Sequence, residues 1–146
     1  MPTKGIKEIN RSFTALANRI KGPMTEQTLT AILIEGGAAA AAITPRDTSF
    51  LVNSMYRKIV PLTGGMLGKI GYAADYAGYV NAASGKLKGK PRSSVASFET
   101  ASGKTAFASS QGNFWDPHAE PDFLRKGFQR DALPVIKRLI KEGYRL

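Results

Sequence analysis

The sequence has no cysteine, which removes disulfides, thiolate metal sites and cysteine nucleophiles at once. It has one histidine, His118, so a Ser-His-Asp arrangement could be built only through that residue. No serine sits in anything like a nucleophile elbow. Acidic residues are scarce: 11 Asp and Glu stand against 21 Lys and Arg, for a net charge of +10. A surplus of that size fits a polyanionic neighbour or an acidic protein surface without choosing between them. Long hydrophobic runs are missing as well. The longest mostly uncharged stretch, Thr28 to Thr44, carries Glu35 and two glycines and is too short and too weakly apolar to cross a bilayer. The basic N-terminus is not followed by an apolar run and a small-residue cleavage site, so the expectation is a soluble, cytoplasmic product with no membrane partner.

What is present suits one globular domain over residues 1–146, with 42% apolar residues and room for a single core. Ile6, Ile9, Phe13, Leu16 and Ile20 recur at spacings of three and four, predicting an amphipathic helix over residues 3–21. Gly22-Pro23 is expected to end it. A second helix is expected from about Met24, with Thr25 or Thr28 as cap. Its stripe runs through Leu29, Ile32, Leu33, Gly36, Ala40 and Ile43, and its small-sided run Ala38 to Ala42 lets another backbone approach closely. Thr44-Pro45 closes this helix, because the residue before proline is pushed out of the α region. Arg46 to Ser49 is turn chemistry, with the Asp47 and Thr48 side chains able to bond amides just ahead. Phe50-Leu51-Val52 then returns to the core.

Two strands are predicted next, Ser54 to Leu62 and Met66 to Ala73, paired as a hairpin across Gly64-Gly65, with Pro61 near the end of the first. Tyr72, Tyr76 and Tyr79 follow at helical spacing. From Ala82 to Asn113 the chain turns to Ser, Gly, Lys and Ala, with five basic residues against Glu99 alone. That segment reads as a flexible basic arm or loop, with short strands at Val95–Phe98 and Thr105–Phe107. Pro121 to Tyr144 is a helix that Pro134 kinks or interrupts. The fold class is therefore α+β: long N-terminal helices, a small mostly antiparallel β-sheet with a long hairpin arm, and a C-terminal helix packed on the sheet.

The candidates for chemistry are few. His118 lies in the turn-like Asp116-Pro117-His118-Ala119-Glu120; without a second histidine it reads as a solvated or capping side chain before it reads as a metal ligand. Gly64 to Lys69 lacks the spacer and the Ser or Thr of a phosphate loop. Asp47, Asp75 and Asp116 have no spacing logic for Mg²⁺. Lys86, Lys88, Lys90 and Arg92 are the best candidates for contact with DNA or an acidic partner, since lysines neutralise phosphates without reading sequence. No aromatic is interleaved with them for stacking.

Three segments, in this order, resemble one family. Thr44-Pro45-Arg46-Asp47-Thr48-Ser49-Phe50-Leu51-Val52-Asn53-Ser54 is similar to a helix-ending Thr-Pro-x-Asp-Thr-Gly-x-Leu-x-x-Ser signature. Tyr72-Ala73-Ala74-Asp75-Tyr76-Ala77-Gly78-Tyr79-Val80 resembles a Tyr-Ala-x-Tyr-Val element, and Pro121 to Phe128 resembles a Pro-x-Phe-Leu-x-x-Ala-Phe entry to the last helix. The family is the tail-component, head–tail joining (neck, tail-completion) family of long-tailed bacteriophages, similar in role to the lambda-type minor tail protein Z. Ser49 departs from the glycine of the first signature, and Asn81 stands where an acidic residue is common.

The resemblance implies a structural virion protein, not an enzyme, with no cofactor and no metal. It would form a ring of copies of itself, hexameric by the same resemblance. That ring would join portal, adaptor or stopper proteins to tail terminator or tube proteins around passing DNA, in the neck or upper tail after assembly in host cytoplasm. It also implies architectural jobs for Thr44, Pro45, Asp47, Thr48, Leu51, Tyr72, Tyr76, Phe123, Leu124 and Phe128. Tail terminator and minor capsid protein stay open within that reading. A basic, sequence-nonspecific nucleic-acid-binding protein and a small hydrolase using His118 stay open outside it.

Overall fold

The structure is a computed structural model that describes residues 3–47, 49–93, 97–99, 101–106 and 112–145. Its class is α+β. Helix α1 (Thr3–Arg19), a π-helical turn (Ile20–Met24) and helix α2 (Thr25–Ile43) follow one another without a break. Gly22-Pro23 therefore widens the helix where the sequence predicted an end. A proline ring crowds the carbonyl four residues back and brings no N–H, and a π turn gives that carbonyl room. Because the helix does not restart, no cap is needed. The Thr25 hydroxyl donates back to the Ile20 carbonyl and the Thr28 hydroxyl to the Met24 carbonyl, 2.7 Å away. The helix stops at Thr44, whose ψ of 131° is the extended value that a following proline imposes.

A short helix, α3 (Phe50–Asn53), leads into strands β1 (Met55–Leu62) and β2 (Gly65–Tyr72). They pair antiparallel from Met55↔Tyr72 to Leu62↔Gly65. The turn is thus Thr63-Gly64, with Gly64 at φ 85°, and Gly65 already belongs to β2. Pro61 is inside β1 opposite Met66; in a two-stranded sheet both strands are edges and tolerate a missing donor. Helix α4 (Ala77–Ala82) follows, so Tyr72 ends a strand and only Tyr79 of the three tyrosines lies within the helix. Strands β3 (Phe98–Glu99) and β4 (Thr105–Ala106) pair in a second small sheet. The expected strand residues Val95, Ala96 and Phe107 lie outside the described residues.

The C-terminal segment comprises α5 (Phe123–Lys126), a second π turn (Gly127–Asp131) and α6 (Leu133–Gly143), with Pro134 in the first turn of α6. It packs along α2, and α2 in turn packs on β2, so the C-terminal helix covers α2 where it was expected on the sheet. The small residues of α2 make this possible. A Cβ on Gly36 would lie 2.2 Å from the Phe128 ring, one on Gly127 2.5 Å from the Ala40 backbone, and one on Gly37 2.9 Å from Ile70. Gly36 and Ala40, one turn apart, form the trough into which Phe128 and Gly127 sink.

Among the described residues the buried apolar side chains are Leu33, Ala40, Leu51, Ala74, Phe123 and Ala132. The solvent-accessible surface is 10168 Å², against about 7300 Å² for a compact monomer of this mass. On α1, Ile6, Ile9 and Phe13 are 59, 68 and 72% exposed. The extensive contacts of α1 are with the adjoining π turn.

Candidate functional site

The three separated segments singled out in the sequence meet in one corner. The Thr44 hydroxyl, buried, donates to the Ala40 carbonyl at 2.7 Å and lies 2.7 Å from the Tyr72 hydroxyl. Its single proton is committed to Ala40, so the Tyr72 phenol is the donor between them. Burial pushes that phenol above its ordinary pKa. The Tyr72 ring meets Phe123 edge to face, centroids 5.2 Å apart. Leu51, Ala74 and Phe123 form the buried cluster, with Phe50, Val80 and Leu124 against it. Phe50 and Tyr76 rings tilt together at 6.2 Å. Ser49 and Asp122, just ahead of α3 and α5, both have left-handed φ, 62° and 56°. Phe128 lies apart from this corner, over Gly36. Thr48 lies outside the described residues.

The Arg92 side chain faces inward. It is 8% exposed, forms a two-pronged pair with Asp47, and stacks 4.6 Å from the Trp115 ring centre. The chain around it is held by backbone hydrogen bonds. Arg92 N–H donates to the Asn113 carbonyl (2.7 Å), Trp115 N–H to Lys90 (2.9 Å) and Gly89 N–H to Trp115 (3.2 Å), with Pro91 bridged to Phe114. Within the segment from Ala82 to Asn113, expected as a flexible basic arm or loop, residues 89–92 are held against residues 113–115. Lys86, Lys88 and Lys90 remain exposed on this docked loop.

Docking of the loop leaves a groove of about 490 Å³ with mostly apolar walls. Pro45 and Leu51 contribute one side, Tyr76, Tyr79 and Val80 another, and Leu87 and Trp115 a third. Exposed Arg46, Lys86 and Lys88 are among its lining residues, as are Asp47, Asp116 and Glu120. Asp116, 7% exposed, accepts the Arg46 N–H and the His118 N–H, each at 2.8 Å, and so ties the loop after α2 to the loop before α5. The Asp116 carboxylate is spent on these amides while His118 is exposed. Asp47 faces Arg92, and Asp75 is exposed and outside the groove lining. Among the described residues no group of three His, Asp or Glu side chains could hold a metal ion. Nor is any of their helices long and apolar enough to cross a membrane. Gly64 to Lys69 is hairpin turn and strand.

Glu120, in the groove lining, accepts from Arg130 (2.7 Å) and Lys126 (3.2 Å), which hold its carboxyl down at about 2. Its N–H donates to the Ile43 carbonyl, fastening the end of α2. The Asn81 carbonyl accepts the Asp122 N–H at 2.7 Å, and its side-chain oxygen is buried without a hydrogen-bond partner among the described residues. The groove and the role of Asp116 went unread in the sequence. Asp-Pro-His did carry the second signal, an Asp bonding the amide two residues on. No protein-family model, curated protein or solved structure matches this chain.

Proposed function

We propose that this chain is a structural subunit of a tailed bacteriophage, forming a homo-oligomeric ring at the head–tail interface. The observation that carries the reading is the meeting of Thr44, Leu51, Tyr72 and Phe123 in one buried corner. These residues come from the three segments that resemble the neck and tail-completion family. The corner joins the end of the long helix, the exit of the hairpin and the entry to the C-terminal helix, which is an architectural task. Ser49 adapts the one departure in the first signature, holding at φ 62° the left-handed backbone that glycine adopts most easily. The small buried core and large surface agree with a subunit that neighbours complete.

In this reading the mechanism is geometry: subunits close a channel wall, match one layer of the neck to the next, and let DNA pass. The ring binds portal, adaptor or stopper proteins on one side and terminator or tube proteins on the other. Antibody labelling of particles should place the protein at the neck or upper tail. Phage lacking it should accumulate separate filled heads and tails, and fully infectious particles without it would sink the reading.

A second reading, nonspecific binding of nucleic acid, is favoured by one observation. Exposed Lys86 and Lys88 stand on the same groove as Tyr79 and Trp115, placing aromatic faces beside cations. A phosphate binder loses affinity steeply with salt. Measurable binding of free DNA that falls in this way would favour the second reading, and its absence the first.

A further inference from the structure

We propose that the apolar stripe of α1 inserts into the groove of a second copy of this chain, so that copies join head to tail. Two apolar features lack a partner among the described residues. One is the stripe Ile6, Ile9 and Phe13 on α1, which stands in solvent. The other is the groove beside Tyr79 and Leu87, themselves 85 and 54% exposed. A helix presenting residues at i, i+3 and i+7 to an apolar groove is a recurrent mode of recognition, and one contact would cover both features.

The contact cannot form within one molecule. Residues 3–43 make one uninterrupted helix, which sets Phe13 about 45 Å along its axis from the groove that begins at Pro45. The stripe must therefore meet another copy. Using two different patches, the contact is heterologous and leaves a free stripe at one end and a free groove at the other until a ring closes.

Charge decides whether such copies tolerate each other, since each carries +10 and the groove lining holds Arg46, Lys86, Lys88 and Arg92 beside Asp47, Asp116 and Glu120. On α1 the positions flanking the stripe are Asn10, Ser12 and Ala17, none charged. Lys7 and Arg11 fall on the opposite side of the helix. The stripe can enter without bringing cation to cation.

The inference rests on the ring reading for its biology, but its test reads the contact itself. Phe13→Glu and Tyr79→Glu replace exposed side chains, so both variants should keep the wild-type circular dichroism spectrum. Sedimentation across a concentration series should show self-association of wild type and its loss in each variant alone. An equimolar mixture of the two should regain a 1:1 pair, because one intact stripe then meets one intact groove. Wild type that stays monomeric throughout overturns the proposal. So does a Tyr79→Glu variant that associates like wild type while Phe13→Glu does not, which would mean that α1 stripes pair with each other. Binding of monomeric wild type to anionic phospholipid vesicles, lost in Phe13→Glu, would assign the stripe to a membrane surface instead. Recovery on mixing, with the protein absent from phage particles, would sink the neck assignment and leave this contact standing.

Discussion

The Tyr72 phenol donates to a Thr44 hydroxyl that has already given its own proton to Ala40. This short chain joins the last residue of the hairpin to the last turn of the long helix. Removing the phenol hydroxyl takes away the bond and leaves Thr44 with its Ala40 acceptor. Tyr72→Phe should therefore lower stability by about 1 kcal/mol, read as a shift in urea midpoint at constant slope. Thr44→Val costs more, since it also strands the Tyr72 hydroxyl, and the double variant should show coupling in a mutant cycle.

Gly127 and Gly22 should respond to alanine in opposite ways. A Cβ at Gly127 would sit 2.5 Å from backbone atoms of Ala40, which cannot rotate away. Gly127→Ala should destabilise by about 1–3 kcal/mol as α2 and the C-terminal segment are forced apart. Gly22 has nothing within 4 Å, so Gly22→Ala should be neutral or stabilising by up to about 1 kcal/mol. Equal responses in thermal melts would contradict the packing described.

Arg92 anchors the basic loop through Asp47 and Trp115. Arg92→Ala should cost about 1–3 kcal/mol, held below the value for a fully buried pair because Asp47 is 39% exposed and water can reach it. Trp115 is the sole tryptophan, so its emission should shift to the red as the loop loosens. Lys at this position keeps the charge but loses the two-pronged pairing and should not restore the spectrum.

Glu120 sets an acid limit. Arg130 first and Lys126 second hold its carboxyl at about 2, below its ordinary 4.5. The stabilisation from these pairs is thus fully present above about pH 4.5 and is lost as pH falls toward 2. Arg130 lowers Asp131 as well, so its contribution fades on acidification in the same direction. The thermal midpoint should fall through this window, and Glu120→Gln should lower the midpoint at neutral pH while flattening its slope with acid. An unchanged slope would remove Glu120 from the account.

Local periodicity made the elements legible: the α1 stripe, the pre-proline stop at Thr44, the hairpin and the interruption near Pro134 all follow from short-range rules. At Pro23 the structure departs from the expected helix end, because proline disturbs the ladder and a π turn repairs it without ending the helix. The stacking of the C-terminal helices on α2 was half legible in the small residues of α2, which announce a close neighbour but not which one. Arg92 could not be separated from Lys86, Lys88 and Lys90 in sequence. What distinguishes it is Asp47, 45 positions away, and Trp115 beyond the far end of the loop.

The groove draws its walls from residues 45–51, 76–92 and 115–121, three stretches that only the finished fold brings side by side. The α1 stripe, by contrast, lies within the first 20 residues of the sequence and exists as soon as one helix does. A growing or half-folded chain can present the stripe long before it has any place to receive one. Whatever occupies the groove can therefore tell completed subunits from incomplete ones.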